Sequence, residues 1–205
     1  MKIYLMRHGE TDWNKVRRLQ GQSDVPLNEH GIELAEKTAE GLKDVTFDAI
    51  FSSPLQRALV TAEIMAGEGA AKIVTDGRLK EMNFGIYEGQ SYDTPEKAEK
   101  HPLKHPESYV PVGGETIAEV KERTYDFLCE KLLPLEKSCS NVLVVAHGAV
   151  NRCMLNRIAD IPDKDFWEIQ LPSCAVSILS LEDGKFSILE KSKVYYGEPV
   201  NGSPM

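Results

Sequence analysis

Two arginines and two histidines stand close to the ends of predicted strands in this sequence. Arg7 and His8 directly follow the first apolar segment, Arg57 lies about one turn into the helix after the second, and His147 directly follows a later buried-strand pattern. Guanidinium groups bind phosphoryl oxygens through paired N–H donors, and free backbone N–H groups at a helix start also favour an anion. Each residue alone fits an ordinary loop, surface or capping position, but the three strand ends together predict a phosphate pocket.

The elements that must position these residues alternate between strand and helix patterns. Asn28 is typical of an N-cap, Ser53 followed by Pro54 predicts a cap and the first position of another helix, and Thr116 opens a capping-box sequence. The Asp183–Gly184 pair predicts the turn of a closing hairpin. The predicted strands are 2–6, 47–53, 71–74, 141–146 and the two arms of the hairpin 175–190, and the predicted helices are 29–42, 54–66, 117–133 and 147–159.

This alternation of strands and helices predicts an α/β fold with a mainly parallel sheet, to which the hairpin adds antiparallel pairing. In open sheets of this kind, ligands bind beyond the carboxyl ends of the strands. We therefore expect the arginines and histidines to meet at one edge of the sheet.

Composition limits the classes of function. The chain has 205 residues, of which 41% are hydrophobic, enough for one sizeable core, and we predict a single domain over residues 1–205. The net charge of −8 has the wrong sign for a surface that binds nucleic acid. No apolar stretch is long enough to span a bilayer, no signal-peptide pattern is present, and the four cysteines contain no C-x-x-C pair. These features predict a cytoplasmic protein without a membrane or nucleic-acid partner.

The segment 89–114 lacks a regular hydrophobic period and contains four prolines. It predicts a loop-rich insertion that covers the active site and selects the leaving group. His101 and His105 are each followed by proline, which disfavours the helical presentation of a pair of metal ligands. No metal site is predicted there.

Four sequence motifs, in this order, carry a resemblance to a known family: "LMRHGETDWN", "SSPLQRALVTAEI", "LKEMNFGIYEG" and "VVAHG". The chain resembles the histidine phosphatase superfamily, the phosphoglycerate-mutase-like clan, over roughly residues 2–180, and "RLQGQSDVPLNEHG" also fits that clan. The resemblance implies a three-layer α/β/α sandwich and a reaction through a covalent phosphohistidine.

The resemblance assigns roles to five residues. His8 is the expected nucleophile, and the cations of Arg7 and Arg57 are expected to keep its imidazole neutral and to clamp the phosphoryl oxygens. His147 is expected to hydrogen-bond a phosphoryl oxygen in the transition state, and Glu81 aligns with the general acid that protonates the leaving group.

Four further residues align with contacts to the phosphate or the substrate, namely Asn14, Gln20, Gly21 and Gly148. The implied mechanism needs neither a metal nor another cofactor, and the implied partner is a small phosphorylated metabolite. The sequence does not define an oligomeric interface.

The segment after Glu81 favours a phosphatase over a mutase. Mutases of the clan carry arginines after the general acid that hold the substrate carboxylate, whereas no arginine lies between Glu81 and Thr116 in this chain. We expect a less polar leaving-group pocket, lined by Met82, Phe84 and Tyr87, and hydrolysis of a small phosphomonoester.

Three alternatives stay open at this point. The first is a cofactor-dependent phosphoglycerate mutase, and the second is an α-ribazole-5′-phosphate phosphatase, which "VGGET" followed by Arg123 resembles. The third is a protein that binds phosphate without catalysis, although every expected catalytic residue type is present.

Overall fold

A six-stranded mixed sheet lies at the centre of the computed structural model, which describes residues 1–67, 71–94, 104–106 and 112–197. The strand order is β3-β2-β4-β1-β5-β6, with β1 to β4 parallel and β5 and β6 antiparallel to their neighbours. The strands are β1 (Lys2–Arg7), β2 (Ala49–Ser52), β3 (Ile73–Thr75), β4 (Asn141–Ala146), β5 (Val176–Glu182) and β6 (Lys185–Lys193). The predicted mainly parallel sheet with a closing hairpin is confirmed.

Five α-helices connect or flank these strands in the described ranges. They are α1 (Asp12–Lys15), α2 (Glu29–Gly41), α3 (Gln56–Ala66), α4 (Ile117–Phe127) and α5 (Gly148–Ile158). Helix α4 continues as a π-helical segment, Leu128–Leu132, and a 3₁₀ turn, Leu133–Leu135. The predicted end of this helix near residue 133 therefore falls inside its irregular extension.

Helices cover both faces of the central strands, so the fold has three layers, with the sheet between two layers of helices. On β1, Ile3 and Leu5 belong to the core beneath α4 and α5, whereas Tyr4 and Met6 belong to the opposite core beneath α2 and α3. Side chains alternate across a strand, so one continuous apolar run supplies both cores. The α/β/α architecture implied by the family resemblance is confirmed.

Two of the predicted helix caps are confirmed. Asn28 Oδ1 accepts a hydrogen bond from the Gly31 backbone N–H at 2.7 Å, at the start of α2. Thr116 and Glu119 form a reciprocal capping box at the start of α4. Both caps involve partners three residues apart, and so the local sequence specifies them.

The predicted cap of α3 at Ser53 is wrong. Helix α3 begins at Gln56, and Ser53 Oγ instead accepts a hydrogen bond from the Leu55 N–H within the preceding turn. The Gln56 N–H donates to Asp24 Oδ1 at 2.8 Å, so a residue distant in sequence binds the helix start. Arg57 is consequently the second residue of α3 and does not lie one turn into the helix as predicted.

The predicted insertion 89–114 lies largely outside the described residues, as does His101. Its first residues are tied to the segment after α1, where the Leu19 N–H donates to Gln90 O and the Gly89 N–H donates to Leu19 O. That the insertion covers the active site remains a prediction, as does the extent of the single domain. Over the described ranges, no helix has both the length and the apolar character needed to cross a membrane.

Candidate active site

His8 lies at the carboxyl end of β1 and is 3% exposed. Its Nδ1 is 2.6 Å from the carbonyl oxygen of Gly9. A carbonyl only accepts hydrogen bonds, so Nδ1 is the protonated nitrogen of the neutral ring, and the Nε2 lone pair is left free for chemistry.

His147 meets His8 because the two strands that precede them are paired. In the parallel register of β1 and β4, Arg7 lies opposite Ala146, so the next residue of each strand is a histidine at the same edge. The ring centroids of the two histidines are 5.1 Å apart, with their planes inclined by 57°. Neither ring nitrogen of His147 has a hydrogen-bond partner among the described residues.

Arg7 and Arg57 are buried beside these rings, and main-chain carbonyls hold them. Arg7 Nη1 donates to Leu171 O at 2.5 Å, and the Arg57 guanidinium donates to Gly21 O at 2.7 Å and to Ser23 O at 2.8 Å. The Nε atom of each arginine has no partner within the described ranges. Carbonyls orient a guanidinium without neutralising it, so both positive charges remain available to an anion.

The electrostatics keep both imidazoles neutral. Burial, followed by the charges of Arg57 and Arg7, holds the pKa of His8 well below its usual value near 6.5. Burial and the same two arginines also hold the pKa of His147 well below that value. Burial lowers the pKa of Arg57 to about 10, so this guanidinium is still a cation at neutral pH.

Glu81 reaches the same edge from the loop after β3. Its Oε1 accepts hydrogen bonds from the N–H groups of Met82 and Val150 at 2.9 and 3.1 Å, and its Oε2 accepts one from Ala149 at 3.2 Å. Two of these donors belong to the first turn of α5, where unpaired N–H groups attract a carboxylate. The carboxylate is therefore fixed at the start of α5, the helix that His147 precedes.

Eight of the nine predicted site residues line one pocket, and His147 adjoins it through its ring contact with His8. Gln20 is 7% exposed and its Oε1 has no partner within the described part of the chain. Asn14 Oδ1 accepts the Thr11 N–H at 3.1 Å in the cap of α1, a short helix that the hydrophobic pattern did not predict. The eight lining residues are Arg7, His8, Asn14, Gln20, Gly21, Arg57, Glu81 and Gly148.

The remainder of the pocket is more polar than predicted. Of the three expected apolar residues only Phe84 lines it, because Met82 is fully buried in the core and Tyr87 packs against that core. Arg152 was missed. It lies four residues after Gly148, which places both on one face of α5, and this helical spacing was the available signal. The other lining residues that the sequence did not indicate are Arg18, Leu19, Tyr92, Ala149 and Trp167.

Glu88 joins the two loops that surround the pocket. Its carboxylate accepts hydrogen bonds from the N–H groups of Gln22 and Ser23 at 2.8 and 3.0 Å, from the Ser23 hydroxyl at 2.7 Å, and from the Phe84 N–H at 3.3 Å. The first loop supplies the carbonyls that hold Arg57, and the second follows Glu81. One carboxylate thus fixes the separation between these two parts of the site.

A buried cationic pocket with a neutral imidazole, at the carboxyl edge of the parallel strands, defines this molecule as an α/β protein whose site is suited to a phosphoryl group. The family model described as "Histidine phosphatase superfamily (branch 1)" matches residues 3–193. The chain therefore belongs to the histidine phosphatase superfamily and is an enzyme of that class.

Relatives with similar sequences and structures span nearly the whole chain. A probable phosphoglycerate mutase, GpmB, of Proteus mirabilis is 35% identical over 182 residues, which cover 86% of this chain and 83% of the relative. YhfR of Bacillus stearothermophilus has 31% identity and a TM-score of 0.86, with 96% of this chain and 99% of that chain covered. A phosphoserine phosphatase of Entamoeba histolytica, solved in complex with 3-phosphoglyceric acid, has 26% identity and a TM-score of 0.83, with 95% and 98% covered.

Proposed function

We propose that this chain hydrolyses a small phosphomonoester through a phosphohistidine formed on His8. The single observation that carries the proposal is the placement of His8: its Nδ1 is bound to Gly9 O, and its Nε2 is free beside His147 and two buried arginines. Burial and the charges of those arginines hold the pKa of the ring well below 6.5. A neutral imidazole nitrogen is a competent nucleophile toward phosphorus.

In the first step, His8 Nε2 attacks phosphorus, a P–N bond forms, and the P–O bond to the leaving group breaks. Arg7, Arg57 and His147 bind the three phosphoryl oxygens and stabilise the charge that develops on them. Glu81 gives a proton to the departing alkoxide. Its Oε2 accepts one backbone N–H where Oε1 accepts two, so Oε2 is the oxygen with room for that proton.

In the second step, water attacks the phosphohistidine, the P–N bond breaks, and Glu81 takes the proton that the water loses. This returns His8 to its neutral form and releases orthophosphate. The Nδ1 hydrogen bond to Gly9 O holds the ring in one tautomer through both steps.

Release of p-nitrophenol from p-nitrophenyl phosphate between pH 5 and 8 tests the proposal. We expect turnover by the native chain and a loss of at least about 10³-fold in His8→Ala, because this change removes the nucleophile. Trapping with radioactive phosphomonoester should label the native chain with an acid-labile, alkali-stable phosphate. Turnover no faster than in His8→Ala would favour a protein that binds phosphate without catalysis.

A phosphoglycerate mutase is the second candidate, because the GpmB relative carries that name at 35% identity. The sequence between Glu81 and Thr116 without arginine favours water as the acceptor instead. Incubation with 3-phosphoglycerate and a 2,3-bisphosphoglycerate primer separates the two. Orthophosphate should be the main product. If 2-phosphoglycerate formed faster than orthophosphate, the proposal that this chain is a hydrolase would be wrong. α-Ribazole 5′-phosphate belongs in the same substrate panel.

A further inference from the structure

Arg152 is a buried cation in the pocket to which the mechanism above gives no task. It lies on α5, five residues after His147, and it is 1% exposed. It lines the same pocket as His8 and Glu81.

The contacts of Arg152 orient its guanidinium but leave donors unused. Nε donates to Ile169 O at 2.9 Å, and the guanidinium carbon lies 4.8 Å from the centroid of the Trp167 ring. Nη2 is enclosed without a hydrogen-bond partner in the described part of the chain. Nη1 is 3.3 Å from the point that a Cβ on Gly148 would occupy, and Arg7 Nε is 3.7 Å from it. The glycine thus keeps the space between the two guanidiniums free.

This arrangement leaves a buried positive charge whose described contacts include no carboxylate, although the charge of Glu81 acts on it from nearby. Burial lowers the pKa of Arg152 to about 9, so it is still protonated at neutral pH. A carbonyl and an aromatic face hold it in place, and neither carries a full negative charge. Because an unpaired buried charge destabilises a fold, such a group is retained where a ligand completes its coordination.

Arg152 lies close to the group proposed to protonate the leaving oxygen. Its Nη1 is 3.3 Å from the point that a Cβ on Gly148 would occupy, and the next residue, Ala149, donates its N–H to Glu81 Oε2 at 3.2 Å. The charge of Glu81 also acts on Arg152. An anionic group on the leaving part of a substrate would therefore come within reach of this guanidinium.

We propose that Arg152, oriented by Trp167, binds a second anionic group on the leaving part of the substrate. The chain then selects small phosphomonoesters whose alcohol carries a carboxylate or a second phosphate. This inference rests on the proposed hydrolysis at His8 and names the substrate class for it. It also replaces the apolar leaving-group pocket expected from the sequence.

Two matched pairs of esters test the subsite. 3-Phosphoglycerate and glycerol 3-phosphate differ by a carboxylate in place of a hydroxymethyl group, and 1,2-ethanediol bisphosphate and 2-hydroxyethyl phosphate differ by a phosphate. For the native chain we expect kcat/KM to favour the anionic member of at least one pair by about tenfold or more. The pair with the larger preference identifies the anion as carboxylate or phosphate.

Arg152→Gln should reduce that preference by about tenfold, and Arg152→Lys should retain part of it because the charge remains without the planar fork. Arg157→Gln is the matched control. Arg157 is on the same helix and pairs with Glu122 at the surface, so its substitution should leave the preference unchanged.

A native preference below twofold in both pairs, or an equal loss for both members of a pair in Arg152→Gln, would overturn the subsite. Equal losses would mean that Arg152 binds the transferred phosphoryl group. If Arg152→Gln does not fold, inhibition of the native chain decides: glycerate should inhibit much more strongly than glycerol, and equal inhibition would overturn the subsite. If the native chain turned over no ester at all, the proposed function would fail, and calorimetric binding of the same pairs would still test Arg152.

Discussion

At the scale of single residues, the site consists of charged and titratable groups that are buried before any ligand arrives. Burial and neighbouring charges hold the pKa values of His8 and His147 well below 6.5, and main-chain carbonyls orient Arg7 and Arg57. Residue type and position near the end of a strand sufficed to predict that these four side chains meet at one edge of the sheet. Arg152 was not predicted, because its burial and its place in the pocket depend on Ile169 and Trp167, which follow it in a loop with no regular pattern.

The two buried imidazoles make the stability of the fold dependent on pH. Their folded-state pKa values lie well below 6.5, whereas the unfolded chain has ordinary values, so below about pH 6.5 the unfolded state binds more protons. We expect the free energy of unfolding to fall between pH 6.5 and 5.5, by up to about 1.4 kcal/mol per pH unit for each imidazole. Urea denaturation at a series of pH values measures this change in the free energy of unfolding.

His147→Gln should remove roughly half of this pH dependence, since one of the two buried imidazoles is lost. His30→Gln is the control because His30 is exposed on α2. A native chain equally stable at pH 6.5 and 5.5 would contradict the expectation.

At the scale of elements, local sequence specified those structures whose partners lie nearby. The caps at Asn28 and Thr116 were predicted because each uses a backbone N–H three residues on. The start of α3 was not, because Asp24, which is 32 residues away, binds its first N–H. The buried strands were predicted by their continuous apolar runs, whose alternate faces supply both cores.

Glu88 connects the two loops that hold Arg57 and Glu81 in the site. Glu88→Gln replaces one accepting oxygen by a donor that faces N–H groups, so we expect a loss of about 1–3 kcal/mol in the free energy of unfolding. The loops that hold Arg57 and Glu81 should also loosen, which lowers kcat/KM for p-nitrophenyl phosphate by roughly tenfold. Urea denaturation and steady-state kinetics measure both effects.

Glu136→Gln is the matched control, since Glu136 accepts one N–H, from Gly184, away from the pocket. A Glu88→Gln protein with native stability and native kcat/KM would show that the two loops keep their separation without this carboxylate.

At the scale of the whole molecule, the pocket concentrates positive charge inside a chain whose net charge is −8. An anion bound there neutralises Arg7 and Arg57 in the folded state alone, so it should stabilise the fold. At about 100 times its dissociation constant, orthophosphate should raise the free energy of unfolding by about 2.7 kcal/mol, with a matching rise in Tm. Thermal denaturation across a phosphate titration measures this shift.

Arg57→Gln should reduce the phosphate-dependent rise in Tm, and Arg157→Gln should retain it because Arg157 lies at the protein surface. A Tm independent of phosphate at constant ionic strength would contradict the anion pocket.

The register between β1 and β4 aligns the two imidazoles independently of Arg152, the residue proposed to bind the leaving part of the substrate. The two imidazoles are adjacent because six backbone positions of neighbouring strands are paired, and a slip of one residue would dismantle both cores as well as the site. Arg152 is positioned instead by Ile169 O and the Trp167 ring, neither of which belongs to a strand. We therefore expect that substitutions around Arg152 can change the preferred substrate while the paired strands keep the two imidazoles aligned.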